Sequence, residues 1–255
     1  MQFKLKLKYG KQKKIQLRFN INKIKTIKKQ RNWIELNKEK SSLNDKVFCI
    51  GFAKTGTTSL EMALINFGYQ LGNQYVGEML VKDWYEKNYD RIINFCKTAE
   101  AFQDAPFGLP GLFKILDNEF ENSKFILTIR DDENQWFNSL VKYHSKMFAD
   151  GVRIPTKNDL QNATYIYKGY ALDTKKMIYD FPKIPLYNAD YYKNKYLTHN
   201  KEVKEYFENR PQDFLVLNIA EKNSYQKLAK FLNFKVEANE KFPWANKTSD
   251  YQRNK

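Results

Sequence analysis

Residues 51–60 read GFAKTGTTSL, which packs two glycines, one lysine, three threonines and a serine into ten positions. Gly51, four intervening residues and Gly56 are the opening of a phosphate-binding loop. A helix starting on such a turn presents N–H groups that have no intrahelical acceptor, and its dipole favours negative charge. Thr57, Thr58 and Ser59 add hydroxyl donors, Lys54 adds a compact cation, and the small Ala53 and Gly56 let the backbone come close. A triphosphate loop needs a lysine directly after its second glycine, to reach the β- and γ-phosphates. Thr57 holds that position, and Lys54 comes two residues before Gly56. The loop suits a phosphate ester, but not in the manner a nucleoside triphosphate demands.

Two other stretches carry polar groups where chemistry is expected. KFILTIR, residues 124–130, is an apolar, β-branched run that closes on Arg130, with Asp131 and Asp132 behind it. It lacks the closing magnesium-binding acid of a triphosphatase strand. The two aspartates read as first-turn residues of the next helix, where carboxylates are favourable, rather than as a metal pair. AFQDAPFG, residues 101–108, places Asp104 after a short strand and before Pro106. A structural role there is to cap the turn or the following helix.

The elements that must position these groups alternate strand with helix. KVFCIG reads as a buried strand, and TTSLEMALINFG as a helix with Leu60, Ala63, Leu64 and Phe67 on one face and Gly68 as its stop. YQLG reads as a short strand, DWYEKNYDRIINFCK as one helix, and PGLFKILDNEFE as a helix opening at Pro110. After KFILTIR come the helix DENQWFNSLVKYHSKMF, a proline-punctuated aromatic stretch over 150–187, a helix over 190–208, the strand FLVLNI and the helix SYQKLAKFLNF. The stretch 150–187 reads as a helix with a loop over the site. This order predicts an α/β fold, a three-layer parallel sheet with helices on both faces. Ligands then bind at the carboxyl ends of the strands. The Gly51–Gly56 loop, Asp104 and Arg130 each follow a strand, so three distant segments converge on one sheet edge.

The formal net charge of +15 is unevenly spread. Residues 1–46 hold 15 Lys+Arg and 3 acids, a balance of +12, and residues 47–255 hold the other 29 and 26, a balance of +3. The chain divides into a basic arm, 1–45, and a single domain, 46–255. Such an arm suits weak contact with an anionic surface, although a solvated appendage explains it more simply. Nothing in its spacing selects a nucleic acid. Two cysteines and two histidines, all far apart, form no zinc pattern, and Cys49 and Cys96 read as buried thiols. No apolar run approaches a membrane span and the start is not a secretory signal, so the chain reads as cytoplasmic, with peripheral membrane contact left to the arm.

Lys54-Thr55-Gly56-Thr57-Thr58-Ser59-Leu60 resembles the 5′-phosphosulfate loop of P-loop sulfotransferases, which use 3′-phosphoadenosine-5′-phosphosulfate (PAPS). KFILTIRDDENQWFNSL resembles their second signature, a strand ending in Arg followed by a helical Ser. Here one residue more than usual separates Arg130 from Ser139, and Asp132 stands where a proline is common. HNKEVKEYFENRPQDFLVLNI and FPWAN resemble the C-terminal part of bacterial-type members. The resemblance spans about 46–247. It implies that Lys54, Thr55, Gly56, Thr57, Thr58 and Ser59 hold the 5′-phosphate and that Arg130 and Ser139 hold the 3′-phosphate. It also implies that a group following the strand between the two signatures takes the acceptor's proton. Asp104 occupies that place, with His144 and His199 as rivals. Ser139 and His144 are five apart and share no clean helix face, so His144 reads as packed, as does His199. Trp136 and the tyrosines of 165–179 are mainly core candidates, and Lys247 is a weak candidate for the 3′-phosphate. The implied reaction is sulfuryl transfer to a hydroxyl of a carbohydrate or a small or lipid-linked molecule, without a metal. The alternatives are a kinase or triphosphatase with a deviant loop, or a non-catalytic binding module using the arm.

Overall fold

The computed structural model describes residues 45–243 and, before them, Lys28, Asn32, Ile34 and Glu35. Four parallel strands, β1 (Val47–Cys49), β2 (Ala101–Phe102), β3 (Lys124–Thr128) and β4 (Phe214–Leu217), form one sheet in the order β2-β1-β3-β4. The register pairs Val47 with Ala101 and Lys124, and Phe125 with Phe214. Side chains alternate across the pleat. Phe48, Ile50, Phe125 and Leu127 enter one core, while Val47, Cys49 and Ile126 enter the other. Both faces are buried, which is why these strands read as unbroken apolar runs.

The described helices are α1 (Thr57–Asn66), α2 (Gln74–Glu78), α3 (Val81–Tyr85), α4 (Asp90–Cys96), α5 (Leu112–Glu119), α6 (Glu133–Phe148), α7 (Lys157–Asn162), α8 (Tyr170–Tyr179), α9 (Ala189–Tyr206) and α10 (Ser224–Phe231). α1 and α10 cover one face through Leu60, Leu64 and Leu228. α4, α5 and the end of α9 cover the other through Phe95, Phe113 and Val203. The result is an α/β three-layer arrangement. A third cluster, centred on Phe52, Trp136, Leu172 and Tyr196, ties α6, α8 and α9 to the loop after β1. Ile34, from the basic segment, is 3% exposed and packs into the first of these cores.

Several local expectations change. YQLG contributes a single bridge, Leu71 to Ala101, rather than a strand. DWYEKNYDRIINFCK is two helices, not one. Lys87 takes a left-handed φ of 56°. Its N–H reaches the Trp84 carbonyl at 3.1 Å, and the Asn88 N–H reaches the Asp83 carbonyl at 2.8 Å. That pair of bonds is a Schellman ending built without the usual glycine. α5 starts after Gly111 rather than at Pro110. The 150–187 stretch holds two helices, α7 and α8, in place of one helix and a loop. Cys49 and Cys96 are buried free thiols. No described helix is long and apolar enough to cross a membrane.

Candidate active site

The loop between β1 and α1 is held by its carbonyls. The Thr55 hydroxyl donates to the Phe52 carbonyl at 2.7 Å, the Trp136 indole N–H to the Ala53 carbonyl at 3.0 Å, and Arg130 Nε to the Lys54 carbonyl at 2.8 Å. Just before them, His199 Nε2 donates to the Ile50 carbonyl at 2.8 Å. Four side chains from elsewhere in the fold or loop thus hold the backbone acceptors of this turn. Gly108 lets the segment after β2 touch this loop, since a Cβ there would sit 2.1 Å from the Gly51 carbonyl oxygen, and Gly51 lets the loop close on Thr128. Gly56 caps α1 with φ 105° and supplies no side-chain acceptor to the helix. Its first-turn residues, Thr57, Thr58 and Ser59, line an open cleft.

Lys54 sits in the left-handed region, φ 73°, a conformation costing about 1–2 kcal/mol for a residue with a Cβ. The bond from Arg130 to its carbonyl holds it there. Its Nζ lies 3.7 Å above the centre of the Tyr143 ring, a favourable cation–π contact. Burial pushes the Lys54 ammonium down to about 8, the Asp104 charge pulls it up, and Arg130 pushes it down further. Asp104 also has a left-handed φ, 60°. Its Oδ2 accepts from the Thr57 hydroxyl at 3.1 Å and its Oδ1 from the Ala105 N–H at 2.9 Å. Burial raises its pKa above the usual carboxylate value, against the pull of Thr57, Ala105 and Lys54. A cation, a carboxylate with raised proton affinity and a row of helix-start donors therefore meet in one place.

The other sequence candidates separate into two groups. Gly56, Thr57, Thr58, Ser59, Arg130 and Ser139 line the same cleft as Lys54 and Asp104. Arg130 spends only its Nε on the loop. Thr55 is fully buried, and its hydroxyl also bonds Thr128 at 2.6 Å; it braces the loop against β3 instead of reaching the cleft. Asp132 is the N-cap of α6, accepting from the Gln135 N–H at 2.7 Å, and Asp131 accepts from Gln135 and Asn218. Trp136 is wholly buried and stacks on Tyr196, centroids 4.6 Å apart at 5°. His199 is 1% exposed, and burial lowers its pKa to about 4, so it is a neutral brace for Ile50. His144 lines the cleft, packed between Phe148 and Tyr187. Lys247 and the end of FPWAN lie outside the described residues.

The cleft has a volume of about 670 Å³ and continues beyond the loop. Its further wall contains groups without a motif: Glu78, Tyr165, Tyr170 and Lys175. Glu78 Oε1 accepts from Tyr165 at 2.8 Å and Gln74 at 3.5 Å, and the Tyr170 hydroxyl donates to the Glu78 carbonyl at 2.9 Å. Burial raises the Glu78 carboxyl to about 7, with the Asp104 charge adding to the shift. One sequence signal existed for Lys175. It shares a helix face with the buried Ala171 and Tyr179, a lone lysine in a buried stripe.

A family model described as a sulfotransferase domain matches residues 46–251. No curated protein matches the chain. The matched span includes the loop, Asp104, Arg130 and every described wall of the cleft. The chain belongs to the sulfotransferase domain family.

Proposed function

We propose that the cleft transfers a sulfuryl group from PAPS to a hydroxyl of a carbohydrate or a small or lipid-linked acceptor. One observation carries this reading: Arg130 holds the Lys54 carbonyl at 2.8 Å while Lys54 shares the cleft with Asp104. Two phosphate-seeking cations and a candidate base are thereby coupled through a single loop. PAPS would supply an activated sulfuryl group, with adenosine 3′,5′-bisphosphate as the leaving group once the S–O bond to its 5′-phosphate breaks.

Lys54 and the first-turn amides of α1 bind the 5′-phosphate and meet negative charge growing on its bridging oxygen, which is electrostatic stabilisation by fixed donors. The terminal amino groups of Arg130, with the Ser139 hydroxyl, hold the 3′-phosphate in charge-assisted hydrogen bonds. Asp104 takes the acceptor's proton as the new S–O bond forms. Thr57 and the Ala105 N–H keep its carboxylate oriented. Protein cations supply the charge that magnesium supplies at a triphosphate, because a single phosphate is handled at each end.

The test uses PAPS labelled in the sulfuryl group and a panel of alcohols, phenols and sugars. Wild-type protein is expected to move label to at least one hydroxyl without added magnesium. Asp104→Asn is expected to lose about 10²–10⁴-fold in turnover while binding adenosine 3′,5′-bisphosphate as wild type does. Undiminished transfer by Asp104→Asn would remove Asp104 as the base.

A further inference from the structure

α8 forms the inner wall of the cleft through Tyr170, Ala171, Thr174, Lys175, Ile178 and Tyr179. Lys175 is anomalous on that wall. It is 4% exposed. Among the described residues its only close partners are two rings, Tyr179 with its centre 5.2 Å from Nζ and Tyr187 at 5.7 Å. No carboxylate among them pairs with it. Rings attract a cation by about 0.5–2 kcal/mol, whereas removing an ammonium from water costs several kcal/mol even after relaxation.

The carboxyl groups of the cleft are already committed elsewhere. Asp104 is held by Thr57 and the Ala105 N–H, and Glu78 by Tyr165 and Gln74. Neither contributes to the environment of Lys175, whose ammonium is pushed down to about 7 by burial alone. His144 packs on the same Tyr187 ring at 5.7 Å, feels the charges of Lys175 and Lys54, and leaves Nδ1 without a hydrogen-bond partner. The cleft is therefore polarised. Asp104 stands with the loop, and an unneutralised buried cation beside an unsatisfied imidazole nitrogen stands on the α8 wall.

We propose that Lys175 reads an oxyanion carried by the acceptor itself, so that the substrate class is a hydroxyl compound bearing its own carboxylate, phosphate or sulfate. The oxyanion pairs with Lys175 while the hydroxyl lies at Asp104. This rests on the sulfotransferase reading above and adds the substrate's charge to it. A neutral acceptor leaves the Lys175 side chain unpaired in the complex. A charged one converts the same ammonium from a cost into a charge-assisted bond.

Calorimetry on the full chain saturated with adenosine 3′,5′-bisphosphate tests this with matched probes: tyrosol against 4-hydroxyphenylacetate, glucose against glucuronate, and glucose against glucose 6-phosphate. The charged member of at least one pair is expected to bind about 10–100-fold more tightly. In Lys175→Met that preference is expected to fall to within about 2-fold, and in Lys175→Arg to persist. Adenosine 3′,5′-bisphosphate affinity is expected to be unchanged in both. Equal affinities in every pair, no binding by any charged probe, or a preference surviving in Lys175→Met would overturn the proposal. The wild-type pairs decide it alone if Lys175→Met does not fold. Failure of wild-type protein to bind adenosine 3′,5′-bisphosphate would instead overturn the underlying sulfotransferase reading.

Discussion

Lys54 is positioned by its own carbonyl, which Arg130 grips at 2.8 Å, and its charge depends on pH near the working range. Lys54→Ala is expected to lower turnover about 10²–10³-fold, the usual loss for one donor aimed at developing charge. The rate profile should be bell-shaped. On the acid side kcat/KM falls as Asp104, whose pKa is raised by burial, gains a proton. On the alkaline side it falls above about 8, where Lys54 loses its charge in the free protein. Lys175 makes an opposite kind of prediction, about stability. Its folded pKa of about 7 lies below the ordinary lysine value of 10.5. The native state thus binds fewer protons than the unfolded chain between those values, and stability rises with pH across that window. Lys175→Met should therefore stabilise the ligand-free protein by at least about 1 kcal/mol at neutral pH, roughly 2–4 °C in Tm, with the gain shrinking toward pH 10.5. A gain that does not shrink would refute the buried-charge account. Lys54 and Arg130 were legible in the sequence because a loop motif and a strand end announce them. Glu78 was not, and Lys175 stood out only as a lone lysine in an apolar stripe, because the packing of α2 and α8 around the cleft is what brings them near the loop. Thr55 shows the reverse error: its place in the motif suggested a ligand contact, while burial makes it a brace.

The elements show why some of the fold could be read directly. β1, β3 and β4 are short apolar runs, and a parallel sheet buried on both faces needs that pattern. The break between α3 and α4 was invisible because Lys87, not glycine, takes the left-handed position. The region over 150–187 lacked a clear period because α8 divides its residues between the third core and the cleft wall. The β1 loop and the segment after β2 meet backbone to backbone at Gly51 and Gly108. Gly108→Ala places a Cβ where the Gly51 carbonyl oxygen stands, 2.1 Å away, so the loop must move. Its expected signature is loss of adenosine 3′,5′-bisphosphate affinity, with far-UV circular dichroism unchanged. Trp136→Phe leaves the Ala53 carbonyl without its donor. It should cost about 1–3 kcal/mol, measured by denaturant titration, and an unchanged midpoint would mean that the indole bond does not hold the loop.

At the scale of the whole molecule, charge and packing divide the chain differently. The charge excess belongs to residues 1–46, at +12, against +3 for the remainder. Packing does not stop at the same boundary, because Ile34 is buried with Phe48, Phe113 and Phe125. Ile34→Ala is expected to destabilise the fold by about 2–5 kcal/mol, as for other buried aliphatic truncations. A truncation removing residues 1–27 should leave transfer intact if that part of the arm is an appendage. Lower activity on free acceptors would assign the arm a part in the site. Sulfuryl transfer from PAPS requires the loop to hold adenosine 3′,5′-bisphosphate. Calorimetry of the wild-type chain with adenosine 3′,5′-bisphosphate, with and without magnesium, set beside magnesium ATP, tests it most directly. Binding of the bisphosphate that is tighter than that of ATP and indifferent to magnesium is the expected result; magnesium-dependent preference for ATP would contradict it.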